Sequence, residues 1–475
     1  MSYKTAKHSS IYPYLLLALV LLVSLIAFPK SGMVNNGDYL RVHQSMPITT
    51  VGWRALEDSY SFDAAPKVAP DSLMAATGFT AGWLAKSANA GHMPMGLLVS
   101  ALLTIFWIGT LFLVKQIGQS FPDHKPGLVI IFSLCLCLTV YSAYFRSLYE
   151  EALVLALCPL FTAGVISLRT KGKLALYLVS ATAILLCKAQ MLYFLPLTVF
   201  ILLSPTTNRT TPRVRSRIAA SALLVTVCMS YQVHLSNTGG MSAVNNFNRA
   251  YNGIGWALQS SASWPASTFE ERLAYFQENR PLLQKRTMKF EADATMPLLG
   301  ESYWPTGVQI SSERWTPGTT AARVQQIKEA LERGRPSRYL RDVVTHATIA
   351  KYLLSNTIAM AWRSDYSLRH LRPDINKRAT GPMLATLAEP AFQLACITLL
   401  TLFALRPNKS SLFATLYFCI GAPLFVVLGD GYYEFEKHLA PFIMLLPAIV
   451  AMQLLTDQRK RATHLEQAPV LSTSD

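Results

Sequence analysis

Four short segments of this sequence place carboxylates beside basic or amide side chains at the ends of long apolar runs. The first is segment 35–38, Asn-Asn-Gly-Asp, with Arg41 shortly after it. Asn-Gly favours a turn, which fixes the direction of the side chain that follows. A carboxylate held at a membrane boundary could therefore act as a general base on a substrate from the aqueous side. The alternative is that Asp38 caps a helix that begins at Tyr39.

The second segment contains Arg146, Glu150 and Glu151, directly before an apolar run. Two acids at the start of a helix complement its dipole, and Arg146 could pair with one of them. The other interpretation is that one carboxylate binds an acceptor or a metal ion.

The third segment, Lys188-Ala-Gln190, interrupts the middle of the apolar stretch 174–203. A lysine that lies below the membrane surface is costly to maintain. Lys188 either extends to the lipid headgroups or serves as a cation for a lipid-borne phosphate, and its cost favours the second interpretation.

The fourth segment, 429–438, joins two apolar runs and is dense in ionisable groups: Asp430, Glu434, Glu436, Lys437 and His438. A solvated hairpin loop needs fewer such residues, so the density favours a site. Acids and cations at a membrane boundary suit group transfer from a lipid phosphate to a hydroxyl. A base takes the hydroxyl proton, and cations neutralise the leaving phosphate. A divalent cation beside Asp38 and Glu150 is an open alternative, although no ligand set has recognisable spacing.

The rest of the sequence is suited to a membrane. Of the 475 residues, 51% are hydrophobic and 15% are charged, and the mean hydropathy is +0.29. Soluble proteins carry about 25% charged residues. The apolar runs approach the roughly 20 residues that a membrane-spanning helix needs, so the sequence predicts an all-α polytopic membrane protein. The net charge of +16 does not indicate nucleic-acid binding, because most Lys and Arg residues flank apolar runs, where membrane topology explains them.

The number of spans depends on the stretch 174–203, which is long for one crossing. If it forms a short hairpin, the N-terminus and all major basic clusters face the cytoplasm; these are 115–125, 169–173, 209–217, 406–409 and 459–461. If it crosses once, the later clusters fall outside. The hairpin therefore predicts about ten spans with both termini cytoplasmic: 11–28, 94–114, 127–144, 152–168, two within 174–203, 218–234, 384–405, 412–428 and 439–455.

This topology places all four polar segments on the extracytoplasmic side and divides the chain into four regions. Residues 1–234 form an N-terminal membrane core, with a first extracytoplasmic loop at 30–92 that contains a membrane-surface helix at 73–87. Residues 235–383 form an extracytoplasmic, mostly helical soluble domain. Residues 384–456 form the C-terminal transmembrane helices, and 457–475 form a cytoplasmic tail.

With these segments in this order, the sequence resembles the GT-C superfamily of membrane glycosyltransferases, in particular the bacterial WsfD-like hexosyltransferases of glycan biosynthesis. The resemblance implies that Asp38 is the catalytic base of an inverting transfer from a polyprenyl-phosphate sugar. It implies donor-phosphate contacts for Lys188, Lys437, His438 and Arg41. Supporting or acceptor-binding roles then belong to Glu150, Glu151, Arg146, Gln190, Asp430 and Glu434.

The same resemblance implies a multi-pass protein of the bacterial cytoplasmic membrane with an extracytoplasmic active site. Its partners would be the lipid-linked donor, a glycan or lipid-linked acceptor and membrane lipids, without nucleic acid. No cofactor is implied beyond the open divalent cation. One alternative is an O-antigen ligase or polymerase, which would depend on outer-loop residues such as Arg338, Arg341 and His346. A lipid-sugar flippase is another, but it predicts polar spans in repeated halves, and the sequence shows neither.

Overall fold

The computed structural model describes residues 39–49, 58–63, 65–120, 144–204, 214–238, 249, 335–345, 347–363, 391–405, 407–430 and 435–456. These residues are mostly helical, which confirms the predicted helical membrane class. Within these ranges, four helices are long and apolar enough to cross a membrane, or five if a bent C-terminal pair counts as one span. The first predicted span lies outside the described residues, as does nearly all of the third. The count of ten spans and the soluble domain stay predictions.

In chain order, the helices are α1 (Tyr39–Gln44), α2 (Leu73–Ser87), α3 (Met95–Ser120), α4 (Glu151–Lys171), α5 (Leu174–Cys187), α6 (Leu195–Leu203), α7 (Val214–Thr238), α8 (Pro336–Thr345), α9 (Ala347–Arg363), α10 (Ala391–Leu405), α11 (Lys409–Leu416), α12 (Ala422–Asp430), α13 (Phe435–Met444) and α14 (Leu446–Thr456). A 3-10 helix, Ala189–Phe194, separates α5 from α6, and a π-helix, Tyr417–Gly421, separates α11 from α12. Strands β1 (Ser59–Ser61) and β2 (His92–Pro94) pair antiparallel.

The chain divides into two compact units. The first comprises Met1–Met229, Leu371–Tyr417 and Ala440–Asp475, and the second comprises Ser230–His370 and Phe418–Leu439. In the second unit, α8 and α9 pack against α12. There the buried Tyr339 hydroxyl donates to the Val427 carbonyl at 3.3 Å. The domain boundaries predicted from the sequence stay predictions.

Helix α4 is the centre of the first unit. It is apolar on nearly all sides and buried along nearly its whole length, which is typical of a helix surrounded by other helices. It packs against α3, α5 and α14. The helix ends at Lys171, and Gly172 caps it with its N–H donating to the Leu168 carbonyl at 3.0 Å. The φ of 66° at Gly172 turns the chain so that the Lys173 N–H points back to the Ser167 carbonyl at 3.4 Å.

The stretch 174–203 folds back on itself. Helix α5 ends at Cys187, and Lys188 has extended backbone before the 3-10 helix begins. The Tyr177 hydroxyl donates to the Thr198 carbonyl at 2.6 Å, although a continuous helix would separate these residues by about 30 Å. The chain therefore reverses at Lys188. The two arms of this hairpin therefore lie side by side, and the membrane side that their ends face stays a prediction.

The first loop forms a small layer on the first unit. Ser72 caps α2 by accepting the Ala75 N–H at 3.1 Å, and α2 then packs against α3, α4 and α5. Gly78 and Gly82 lie on its buried face, while Trp83 and Leu84 are exposed. The predicted helix at 73–87 is confirmed, and its place on a membrane surface stays a prediction.

Candidate functional site

The reversal of the hairpin brings Lys188 to the first turn of α4. Its Nζ donates to Oε1 of Glu151, and each of these side chains is 1% exposed. Glu151 is placed there because it is the first residue of α4, where the helix dipole favours a carboxylate. A buried pair of this kind is costly to break, since either charge alone would be buried without compensation. The pair fixes the tip of the hairpin to the start of α4.

This contact changes the interpretation of Lys188. A side chain that is 1% exposed does not extend to the headgroups, so that alternative does not fit. The lysine is also not a bare cation, because Glu151 already compensates its charge. Binding of a donor phosphate by Lys188 would need the phosphate to share or replace the Glu151 contact. That role stays a prediction.

Two further predicted residues lie around the pair. Glu150 is buried, precedes α4 in helical conformation, and makes no capping hydrogen bond with its side chain. It lies close enough to Cys187 to act on that thiol electrostatically. Gln190 is buried in the same turn, which is closed by the Met191 N–H donating to the Lys188 carbonyl at 2.9 Å. The structure therefore brings together Glu150, Glu151, Lys188 and Gln190.

Arg146 connects this turn to the first loop. Its guanidinium forms an ion pair with Asp58, a residue that the sequence analysis did not single out. The Asp58 carbonyl also accepts the Met95 N–H at 2.9 Å, so this residue lies next to the start of α3. The predicted topology put both partners on one side, but the first loop holds several acids, and spacing does not select among them.

The first candidate, Asp38, lies outside the described residues. Helix α1 begins at Tyr39, the residue at which the capping interpretation of Asp38 placed a helix start. Arg41 is in this helix, but its side chain lies outside what the structure describes.

His43 of α1 is a second residue that the sequence analysis missed. Its ring is buried, Nε2 is 2.8 Å from the Thr49 carbonyl oxygen, and the ring lies edge-on to Tyr60. Burial lowers the pKa of His43 below its ordinary value of 6.5, with nearby Lys67 acting in the same direction. The Thr49 carbonyl and Asp63 oppose this shift without reversing it. His43 is therefore neutral at pH 7.

The fourth predicted segment is described only in part. Glu434 lies outside the described residues, and so do the side chains of Asp430 and Lys437. His438 is buried in α13 and belongs to the second unit. Across the described ranges, no three His, Cys, Asp or Glu side chains lie close enough together to hold a metal ion.

The fold and these contacts define a helical membrane protein with a buried acid–base pair at one end of its central helix. A family model described as the YfdI N-terminal transmembrane domain matches residues 97–261, which include α4 to α7 and most of α3. YfdI is a GT-C-like glycosyltransferase family, so the match suggests a membrane glycosyltransferase. No curated protein and no solved structure matched the chain.

Proposed function

We propose that this protein is an inverting GT-C-type hexosyltransferase of the bacterial cytoplasmic membrane, with WsfD-like specificity for glycan biosynthesis. It moves a hexose from a polyprenyl-phosphate sugar to a glycan or lipid-linked acceptor on the extracytoplasmic side. One observation supports this most: the family match covers the segment that holds the buried Lys188–Glu151 pair. Burying an ion pair at a helix break costs desolvation free energy, and a role in the reaction would explain why the protein has one there.

In the proposed reaction, Asp38 takes the proton of the acceptor hydroxyl as that oxygen bonds to the anomeric carbon. The bond from this carbon to the phosphate oxygen breaks, and its electron pair leaves with the phosphate. The singly charged phosphodiester thereby becomes a more highly charged phosphomonoester. A cation positioned in advance near the leaving oxygen lowers the barrier, because it meets charge that develops in the transition state.

Lys188 is proposed to be that cation. Glu151 holds its ammonium group in one place before the donor arrives, so little reorganisation is needed during reaction. As the phosphate gains charge, the lysine shifts part of its contact from Glu151 to the phosphate. Lys437, His438 and Arg41 are proposed as further donor-phosphate contacts. Glu150, Gln190, Arg146, Asp430 and Glu434 are proposed to support the site or bind the acceptor.

Transfer by the purified full-length protein in liposomes, across a panel of polyprenyl-phosphate hexoses with and without chelator, tests this function. Asp38→Asn is expected to lower the rate by roughly 10²–10⁴-fold, because it removes a general base, while the melting temperature is unchanged. Asp63→Asn, another acid of the first loop, is the matched control and should keep its activity.

Full activity of Asp38→Asn would remove the catalytic assignment. Activity solely with pyrophosphate-linked glycans would replace the proposal with a ligase or polymerase. Loss of activity on chelation would establish the divalent cation that the sequence left open.

A further inference from the structure

Two arginines lie together at the end of α4 opposite the Lys188–Glu151 pair. Arg169 belongs to the last turn of α4 and is 1% exposed, and Arg217 belongs to the first turn of α7 and is 6% exposed. Arg217 Nη1 donates to the Ser204 carbonyl, where α6 ends, at 2.9 Å. The two guanidinium groups lie near enough for their charges to repel. Arginine stays protonated in proteins, so this repulsion persists at neutral pH, and an anion bound beside both groups would reduce it.

Arg217 also has unused hydrogen-bonding capacity. Within the described part of the chain, its Nε and Nη2 atoms have no hydrogen-bond partner. Ser221 follows one turn later on the same face of α7, and its buried hydroxyl likewise has no partner among the described residues. Buried donors of this kind are normally satisfied, so these atoms point to a ligand that completes them.

The chemistry of the ligand follows from the donors. A guanidinium group presents paired N–H donors that match two oxygens of a phosphate or carboxylate, and a phosphate offers two such groups more acceptor oxygens than a carboxylate does. The positive-inside rule assigns this end of α4 to the cytoplasm, where the facing leaflet carries anionic phospholipids. Free phosphate in that compartment is a second source of the same group.

We propose that Arg169, Arg217 and Ser221 form a phosphate-binding site at the base of the hairpin, separate from the proposed transferase site. Its ligand is a phosphate group, from either an anionic phospholipid or inorganic phosphate. The proposal does not depend on the proposed function, because it rests on arginines at the other end of α4. The two can therefore fail separately.

Native mass spectrometry of the purified full-length protein tests the site in three arms. The probes are phosphatidylglycerol, inorganic phosphate, and diacylglycerol, which has no phosphate. The wild-type protein is expected to bind phosphatidylglycerol, inorganic phosphate or both, and to ignore diacylglycerol. Arg217→Gln should weaken binding at least roughly tenfold, since it removes charge-assisted hydrogen bonds. Arg215→Gln is the matched control, because Arg215 is exposed on the same helix and the charge change is identical.

Each outcome decides the proposal, and binding that Arg217→Gln keeps in full would overturn it. Binding of the lipid alone identifies a headgroup site, and binding of free phosphate identifies an anion site; either supports the inference when Arg217→Gln loses it and Arg215→Gln keeps it. If Arg217→Gln does not fold, Arg217→Lys takes its place, since it keeps the charge but loses the planar fork and should still bind less tightly. Equal loss in both glutamine variants, or wild-type protein that prefers neither phosphate probe over diacylglycerol, would overturn the site.

Discussion

The two ends of α4 bury charged side chains in different combinations. At the Glu151 end, the fold buries one acid and one base in direct contact. At the Arg169 end, about 27 Å away along the helix axis, it buries two bases side by side. The same hairpin makes both arrangements, because its tip supplies Lys188 and its base leads to Ser204, which accepts a hydrogen bond from Arg217.

The difference teaches that burial of a charge has different consequences at each end. A compensated pair stabilises the fold when both partners are present and destabilises it when one is lost. Two neighbouring arginines are stabilised by an anion that binds beside both of them. The Glu151 end therefore compensates the charge of its own lysine, whereas the Arg169 end is expected to respond to anions in its surroundings.

The largest expected effect comes from removing one partner at the Glu151 end. Lys188→Met would leave the Glu151 carboxylate buried without a cation, and we expect a loss of about 3–5 kcal/mol in stability. The melting temperature of the detergent-solubilised protein should fall strongly. Lys173→Met is the matched control, because Lys173 is exposed just before the same hairpin, and its melting temperature should stay near that of the wild type.

A double variant separates structure from function at this pair. Glu151→Leu combined with Lys188→Met replaces both charges by apolar side chains, so most of the lost stability should return. Transfer activity should not return, because the proposed phosphate cation is missing. A double variant that is both stable and fully active would show that the pair is merely structural.

An intermediate effect is expected where the hairpin touches the middle of α4. A Cβ atom on Gly164 would lie 2.7 Å from Ser180 Oγ and 3.1 Å from Tyr177 Cα, so Gly164→Ala must push α5 away. Overpacking of this kind costs about 1–3 kcal/mol.

Gly96→Ala is the control, because nothing lies within 4 Å of the added atom. Its melting temperature should be unchanged or slightly higher, since alanine restricts the unfolded chain. Equal melting temperatures of the two variants would contradict the close contact between α4 and α5.

Much of this arrangement follows from the distribution of charge in the sequence. The reversal at Lys188 was predicted because it puts all the basic clusters on one side, and the structure reverses there. The partners were not predicted. Sidedness and depth do not say which way a side chain points around a helix, so Lys188 could not be matched to Glu151 rather than to Glu150.

Two other contacts could not be predicted from the sequence, for different physical reasons. The sequence suggested that Arg146 pairs with a neighbouring acid, but its partner is Asp58 of the first loop, almost ninety residues earlier. Local spacing does not determine the conformation of a loop, so this partner could not be predicted. The sequence explains Arg169 and Arg217 as members of basic clusters that face the cytoplasm. Their burial depends on how α4, α6 and α7 meet, which the sequence pattern alone does not determine.

The smallest expected effect is a difference in pH response between the first loop and the Arg169 end of α4. Burial keeps the pKa of His43 below its ordinary value of 6.5, so the unfolded chain takes up a proton first as the pH falls. The first loop therefore has its full stability above about pH 6.5 and loses stability as the pH falls from there towards the lowered pKa. The arginines at the other end of α4 keep their charge throughout this range.

Hydrogen exchange at about pH 7.5 and about pH 5.5, corrected for intrinsic exchange rates, measures this difference. Protection of the amide N–H of Met46 and Thr49, which donate to the His43 and Ser61 carbonyls, should weaken at the lower pH, while the last turn of α4 should not change. His43→Gln keeps a donor for the Thr49 carbonyl but does not titrate, so it should abolish the pH response. His92→Gln, at an exposed position in the same loop, should leave it intact. A response that spreads equally to both ends of α4 would show that His43 does not control it, because His43 belongs to α1 in the first loop and not to the last turn of α4.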